Sequence, residues 1–173
     1  NNGVQLECVI VGDGPDRDQL TQQARELGVS DHIKFTGALP FNEALEWYEW
    51  AHCLVLPSKH SEGWPKVVAE AMCYGLICIA VDHGQVPAML RGRGILLPNG
   101  TGQEIAEAIK AIAENPAVFQ VMMREAAEWS KQFSLEGLRD AIAALLEKQW
   151  NVPRFRVQNQ TSNVRAQAMS TTR

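Results

Sequence analysis

Five short apolar runs alternate with segments of mixed polarity over the first hundred residues of the chain. The runs are LECVIVG, HIKFTG, HCLVLPS, LICIAV and GILLP. Short apolar runs bounded by glycine or proline are typical of buried strands. The segments 16–27 and 41–50 carry apolar residues at helical spacing. This alternation predicts an α/β fold, a Rossmann-like doubly wound parallel sheet of about five strands with helices on both faces.

The last part of the chain is predicted to be helical, and then to lose its periodicity. Three helices are predicted, over residues 101–114, 115–131 and 134–150. Thr101 and Glu104 have the spacing of a capping box, and Ser134 is the expected N-cap of the third helix. Residues 151–173 have no periodicity, four arginines and no acidic residue. We therefore predict one domain over residues 1–150 and a basic, poorly ordered polar tail over residues 151–173.

Composition narrows the class of protein. The chain has 173 residues, of which 46% are hydrophobic and 21% charged, as in an ordinary globular domain. It has no apolar run of 18 residues, and its first residues lack the order of a signal peptide, so a cytoplasmic location is expected. The tail arginines are too dilute to predict a nucleic-acid partner.

The four cysteines all lie in apolar surroundings. They are Cys8, Cys53, Cys73 and Cys78. A cysteine in such a run usually behaves as a small buried hydrophobe. Neither CxxC nor a Cys/His ligand spacing occurs, so we expect buried thiols and neither a disulfide nor a metal site.

The stretch SKHSEGWPKVVAEAMCYG, residues 58–75, has the composition of a binding loop followed by a helix. A helix that starts at Pro65 or Lys66, with proline at its first position, would leave the amides from Lys66 to Val68 free to bind an anion. Glu62 and Glu70 are eight residues apart, which is about 12 Å along an ideal helix. Carboxylates accept hydrogen bonds from sugar hydroxyls. The pattern therefore fits a nucleotide diphosphate sugar.

A chance spacing with a solvated Glu70 is the alternative interpretation. The flanking sequence VVAEAM is otherwise apolar, and a carboxylate within a buried helix face needs a partner. The residues alone leave both readings open.

The chain resembles the retaining, metal-independent glycosyltransferases of the GT-B fold, the glycosyl transferases group 1 family. The resemblance rests on VIVGDGP, IKFTGAL, VLPSKHSEGWPKVVAEAMCYG, HGQVPAM and GILLP, in this order. It covers residues 6 to about 150. The Glu-x7-Glu spacing is its specific element.

The resemblance implies a role for each matching residue. It assigns Glu62 as the catalytic residue beside the donor sugar's reacting carbon, and Glu70 to the ribose hydroxyls. It implies contacts with the donor sugar and diphosphate for Gly63, Trp64, Pro65, Lys66, Val67 and Val68. It implies contacts with the nucleoside for Leu39, Gly12 and Gly14. No metal or cofactor is implied, and Glu62 would either form a covalent intermediate or, as we favour, position the sugar for front-face attack.

The chain also departs from the family pattern. It contains only the second, donor-binding domain of the two, without the acceptor domain. It begins at what looks like the second strand of that domain, so the first strand and a basic Arg and Lys pair are missing. The missing strand would lie between the first and third strands predicted here, so its absence leaves a gap or forces these two to pair.

These features predict a donor-binding fragment that transfers little or no sugar alone. Its partners would be a nucleotide-sugar donor, an unknown acceptor and the missing N-terminal domain, with a membrane surface reached only through a full-length protein. The alternative is a non-catalytic nucleotide-sugar-binding or interaction module. A sugar-nucleotide epimerase would need other carboxylates, and a dehydrogenase would need a third glycine in GDGPDR.

Overall fold

A computed structural model describes residues 5–58 and 63–151. The chain divides into two compact units, with the boundary after Gln132. The strands of the first unit are β1 (Cys8–Val11), β2 (Ile33–Gly37), β3 (Cys53–Leu56), β4 (Ile77–Val81) and β5 (Ile95–Leu97). Its helices are α1 (Arg17–Glu26), α2 (Phe41–Trp50), α3 (Lys66–Cys73), α4 (Val86–Leu90), α5 (Gly102–Glu114) and α6 (Pro116–Ser130). The five predicted strands are confirmed.

The strands pair in parallel, as predicted, but they form two sheets. One sheet has the order β1-β2 and the other the order β3-β4-β5. Among the described strands, β1 and β3 do not pair with each other. The predicted α/β fold with parallel strands and helices on both faces is confirmed. Of the two arrangements considered for β1 and β3, a gap or direct pairing, the described strands show no pairing.

Strand β4 is the centre of the core. All five of its residues are buried, and alternate residues enter two different hydrophobic clusters. Cys78 and Ala80 pack with α3, α4 and Ala126 of α6. Ile77 and Ile79 pack on the other face with β5 and Ala108 of α5. Helices therefore cover both faces of this sheet, because a strand sends successive side chains to opposite faces.

Helix α3 is fixed to this core by one face. Val68, Ala71 and Met72 are all fully buried. Burial of a valine or methionine side chain contributes about 1.5 to 3 kcal/mol each. The helix ends with Gly75 N–H donating to the Met72 oxygen and Leu76 N–H to the Ala71 oxygen, a Schellman arrangement. The position of α3 is thus set by its buried face and by its C-terminal turn.

The β1-β2 sheet is much less buried. In β1, Ile10 is 38% exposed and Val11 is 41% exposed. Cys8 is also exposed, and so is Cys73 at the end of α3, so the prediction of buried thiols is wrong for both. Cys53 is half-buried, and Cys78 is fully buried as predicted. Among the described strands, β1 has a paired strand on one side only, whereas β4 has one on each side, which accounts for Cys8 and Cys78. Cys73 is exposed because it lies outside the buried face of α3, which consists of Val68, Ala71 and Met72.

The predicted caps are present. The Thr101 hydroxyl accepts from Glu104 N–H at 3.2 Å, while the Glu104 carboxylate accepts from Thr101 N–H at 2.9 Å. In the second unit, helix α7 (Leu135–Trp150) begins after Ser134, whose hydroxyl accepts from Gly137 N–H. The turn expected at HGQVPAM contains the short helix α4. Residues 152–173, most of the predicted tail, lie outside the described residues.

Candidate functional site at the carboxyl ends of the strands

The carboxyl ends of β3, β4 and β5 meet at one edge of the sheet. A Cβ atom on Gly100, beyond β5, would lie 2.5 Å from Val81 Cγ2 at the end of β4. It would also lie 3.7 Å from the Cα atom of Pro57, which follows β3. Ligands of parallel α/β sheets bind at this edge. The loop that leads from β3 to α3 leaves the sheet here.

Of the two starts predicted for α3, Pro65 or Lys66, the structure has Lys66. Pro65 is the N-cap, with φ −69° and ψ 104°, and the first helical residue is Lys66. Val68 N–H donates to the Pro65 carbonyl oxygen at 3.1 Å, which makes a tight first turn. Val68 is also fully buried. Its amide hydrogen is therefore already engaged within the helix, and its predicted contact with a phosphate stays a prediction.

Two amides remain at this helix end. Within the described residues, neither Lys66 nor Val67 N–H donates to a backbone carbonyl. Both residues are exposed, with Val67 at 39%. Amides at a helix N-terminus carry the positive end of the helix dipole, roughly half an elementary charge. The structure thus leaves two of the three expected anion donors.

Glu62, the expected catalytic residue, lies outside the described residues. Its place relative to Glu70 therefore stays a prediction. The estimate of 12 Å between the two carboxylates does not apply, because the helix begins only at Lys66. Four of the eight steps are helical, which is a rise of about 6 Å.

Glu70 lies one turn into α3, on the face with Val67 and Tyr74. The face is defined by the helical spacing of these three residues, and Val68 and Ala71 lie on the buried face. Glu70 is half-buried, and its Oε2 atom accepts a hydrogen bond from the Tyr48 hydroxyl of α2 at 3.1 Å. The expectation that this carboxylate needs a partner is confirmed. Sequence reasoning missed which residue the partner is.

Tyr48 belongs to a small aromatic pair beside the carboxylate. Its ring stacks on that of Tyr74, with centroids 5.5 Å apart and an angle of 27° between the planes. Burial, the charge of Glu70 and the hydrogen bond to Glu70 together raise the pKa of the Tyr48 hydroxyl well above its usual value. The phenol therefore stays protonated and donates to the carboxylate.

The loop before α3 contacts helix α6. Gly63 and Trp64 are exposed, Trp64 at 42%. The Trp64 and Trp129 ring centroids are 6.2 Å apart, and the Arg93 guanidinium lies over the Trp129 ring, 4.3 Å from its centroid. Sequence reasoning missed Trp129, because its 65-residue separation from Trp64 gives no local signal. The contact means that α6 helps to position Trp64.

The first loop, after β1, is closed by a backbone hydrogen bond. Gly12 N–H donates to the Gly37 oxygen at 2.9 Å, which joins the ends of β1 and β2. The Arg17 guanidinium lies against Gly37 and forms an ion pair with Asp13 at 3.6 Å. Gly14 is exposed and Leu39 is half-buried. Among the described residues, no hydrogen bond, ion pair or ring contact joins Gly12, Gly14 or Leu39 to Glu70, so their common role stays a prediction.

Two cavities are lined by none of the predicted site residues. One of about 390 Å³ is lined by Tyr74, Gly75 and residues of α6. The other, of about 320 Å³, is lined by β1, β2, Trp47 and Trp50. The described residues contain no group of three His, Cys, Asp or Glu side chains that could hold a metal ion. None of the described helices is long and apolar enough to cross a membrane.

Parallel strands, helices on both sides and a helix that starts at the strand edge define a Rossmann-like α/β domain. The family model described as glycosyl transferases group 1 matches residues 1–132. The chain therefore belongs to this family, and its solved structural neighbours are GT-B glycosyltransferases.

Individual relatives are similar at a moderate level. An exopolysaccharide phosphotransferase of Streptomyces coelicolor is 29% identical over 82% of this chain and 14% of its own length. A D-inositol 3-phosphate glycosyltransferase of Streptomyces bingchenggensis is 30% identical over 73% of this chain and 28% of its own. Crystal structures of Anabaena HepE, with UDP and with UDP-glucose, have TM-scores of 0.74 and 0.73 at 23% and 24% identity. They match 83% of this chain and 41% of HepE, so the chain spans well under half of these relatives.

Proposed function

We propose that the chain is the donor-binding portion of a retaining glycosyltransferase, which moves a hexose from a nucleotide diphosphate sugar to an acceptor hydroxyl. The observation that carries the proposal is the carboxylate of Glu70, which accepts a hydrogen bond from Tyr48 one turn from the amides of Lys66 and Val67, and these amides donate to no backbone carbonyl of the described residues. An anion site and a hydroxyl acceptor thus lie within one helical turn. A nucleoside diphosphate presents a diphosphate and ribose hydroxyls at a similar separation.

The diphosphate would rest against the start of α3. The two amides of Lys66 and Val67 point their hydrogen atoms out of the helix end, where the dipole favours negative charge. The exposed Lys66 side chain adds a positive charge at the same place. These groups supply charge stabilisation for the leaving diphosphate without a metal ion.

The sugar transfer itself would use Glu62 to position the donor sugar. In front-face attack the bond between the anomeric carbon and the phosphate oxygen breaks while the acceptor oxygen bonds to the same face of that carbon. The acceptor's proton passes to the leaving diphosphate, so no protein base is needed. The fold likeness to HepE, solved with UDP and with UDP-glucose, supports a nucleotide-sugar donor.

The donor part is not expected to transfer sugar efficiently by itself. Sugar transfer also requires a binding site for the acceptor. The chain spans a minor share of its relatives' length. Little or no release of nucleotide from a nucleotide sugar is expected with the chain alone. Rapid turnover of UDP-glucose with a simple acceptor would contradict this part of the proposal, and nucleotide binding without turnover agrees with it.

Calorimetric titration with UDP, GDP and ADP tests the binding function. At least one of them should bind, and Glu70→Ala should weaken it about 10- to 100-fold, the loss expected for hydrogen bonds to a charged group. Glu107→Ala is the matched control, since Glu107 also accepts one side-chain hydrogen bond on a helix, from Gln103 at 2.9 Å. Equal effects of the two substitutions, or no binding of any nucleotide, would refute the proposed function.

A further inference from the structure

The hydrogen bond between Tyr48 and Glu70 joins two helices that are distant in sequence. Tyr48 lies on α2 and Glu70 on α3, and both side chains are half-buried. The Tyr48 hydroxyl donates to Oε2 of the carboxylate at 3.1 Å. The Tyr48 ring is itself held by the stack on Tyr74. The donor therefore belongs to a packed side chain rather than to a mobile one.

This hydrogen bond restricts the orientation of the Glu70 carboxylate and leaves some of its acceptor positions for other donors. A glutamate carboxylate offers about four lone-pair positions on its two oxygens. Tyr48 takes one position on Oε2, and within the described residues Oε1 accepts no hydrogen bond. A glutamate side chain loses several freely rotating torsions when it is ordered. Tyr48 therefore orders the carboxylate in advance and leaves one oxygen for a ligand.

We propose that Tyr48 is a positioning residue, which aims Glu70 Oε1 at the vicinal hydroxyls of the nucleotide's ribose. This inference rests on the proposed function and extends it to a residue of α2. The proton of Tyr48 stays in place, because burial and the adjacent Glu70 charge both raise its pKa. The hydrogen bond thus keeps one direction, with Tyr48 as donor and Glu70 as acceptor. A carboxylate ordered in this way binds a hydroxyl pair with a smaller entropic loss.

A purely structural role for Tyr48 makes a different prediction. If the hydroxyl only satisfied a half-buried carboxylate, its loss would lower stability and affect all ligands alike. A positioning role is specific to ligands that carry the ribose hydroxyls. The decisive quantity is the ratio of affinities for a ribonucleotide and for its 2′,3′-dideoxy counterpart.

The test is calorimetric titration of the chain and of Tyr48→Phe with UDP, GDP and ADP and with the 2′,3′-dideoxy form of the tightest binder. We expect Tyr48→Phe to weaken ribonucleotide binding about 3- to 10-fold and to leave dideoxynucleotide binding within about twofold, the size expected for one lost orienting hydrogen bond. Tyr74→Phe is the matched control, because it removes a phenol hydroxyl and keeps the ring stack. It should change neither affinity more than about twofold. Thermal unfolding of each variant shows that it is folded.

Each outcome decides the question. An unchanged ribonucleotide to dideoxynucleotide ratio in Tyr48→Phe overturns the positioning role, while Glu70→Ala can still show that the proposed function stands. Equal weakening of both ligands by Tyr48→Phe also overturns it and assigns a structural role. If the unsubstituted chain binds none of the three nucleotides, the proposed function fails, and this inference fails with it. Greater loss in Tyr74→Phe than in Tyr48→Phe would overturn the assignment to Tyr48.

Discussion

Replacing Gly100 with alanine should destabilise the chain more than the same replacement at Gly28. Both glycines have φ of +67°, so an alanine at either place incurs the same left-handed strain, about 1 to 2 kcal/mol. At Gly28 the new Cβ would meet no atom within 4 Å. At Gly100 it would lie 2.5 Å from Val81 Cγ2, about 1 to 1.5 Å closer than a normal carbon contact. The comparison therefore isolates the contact at the strand edge.

The size of the difference follows from the overlap. Forcing one extra methyl group into packed surroundings costs about 1 to 3 kcal/mol. We therefore expect Gly28→Ala to lower the free energy of unfolding by about 1 to 2 kcal/mol, and Gly100→Ala by about 2 to 5 kcal/mol. With a urea m-value of about 2 kcal/mol per molar, the two midpoints should differ by roughly 0.5 to 1.5 M.

Urea unfolding followed by far-ultraviolet circular dichroism measures the difference between the two midpoints. A double-mutant cycle with Val81→Ala tests whether the contact with Val81 causes this difference. Val81→Ala removes the Cγ2 atom that Gly100→Ala would meet. The double variant should therefore lose about 1 to 3 kcal/mol less than the sum of the single losses. Equal midpoints for Gly28→Ala and Gly100→Ala, together with strict additivity in the cycle, would refute the close approach of the two strand ends.

Three further predictions concern a cap, an acid and a thiol. Thr101→Ala should lower the free energy of unfolding by about 1 kcal/mol, since the hydroxyl caps α5, and an unchanged urea midpoint would contradict this. The pKa of Glu104 is lowered below its usual 4.5, and the hydrogen bond from the Thr101 amide is the largest cause. The ionised Glu104 therefore contributes to the stability of the fold above pH 4.5, and this contribution is lost as the pH falls through the lowered pKa. The free energy of unfolding should therefore fall less steeply on acidification in Glu104→Gln than in the unsubstituted chain, and identical slopes would contradict this prediction. Burial raises the pKa of the Cys78 thiol to about 12, so a thiol reagent at pH 8 should label exposed Cys73 in the folded chain and Cys78 only after unfolding, whereas similar rates would argue against the burial.

Local chemistry explains why the helices were predictable. Thr101 and Glu104 are three residues apart, and their reciprocal hydrogen bonds depend only on that spacing and on the local backbone. Ser134 caps α7 for the same reason. The prediction for the start of α3 was less accurate, because Pro65 suits either the N-cap or the first helical position. The tight bond from Val68 to Pro65 decides between these.

Long-range arrangement explains what the sequence did not reveal. Each apolar run predicts a strand but not its neighbours. Among the described strands, β1 pairs only with β2, and this depends on which other strands can lie beside β1. The exposure of Cys8 is a consequence, because a cysteine in an apolar run is buried only if the strand has neighbours. Topology left two outcomes open for these strands, a gap or direct pairing, and among the described strands β1 and β3 do not pair.

The candidate site combines both kinds of information. The amides of Lys66 and Val67 have no backbone acceptor in the part of the chain that the structure describes, and this follows from a local feature, the proline that precedes the helix. The setting of the Glu70 carboxylate comes from Tyr48, which is 22 residues earlier in the chain. A change in α2 that leaves α3 intact should therefore alter how a hydroxyl pair is bound while the diphosphate contact persists. Because the two contributions have different structural origins, substitutions can separate them, and ligand variants that lack either the hydroxyls or the diphosphate should respond independently.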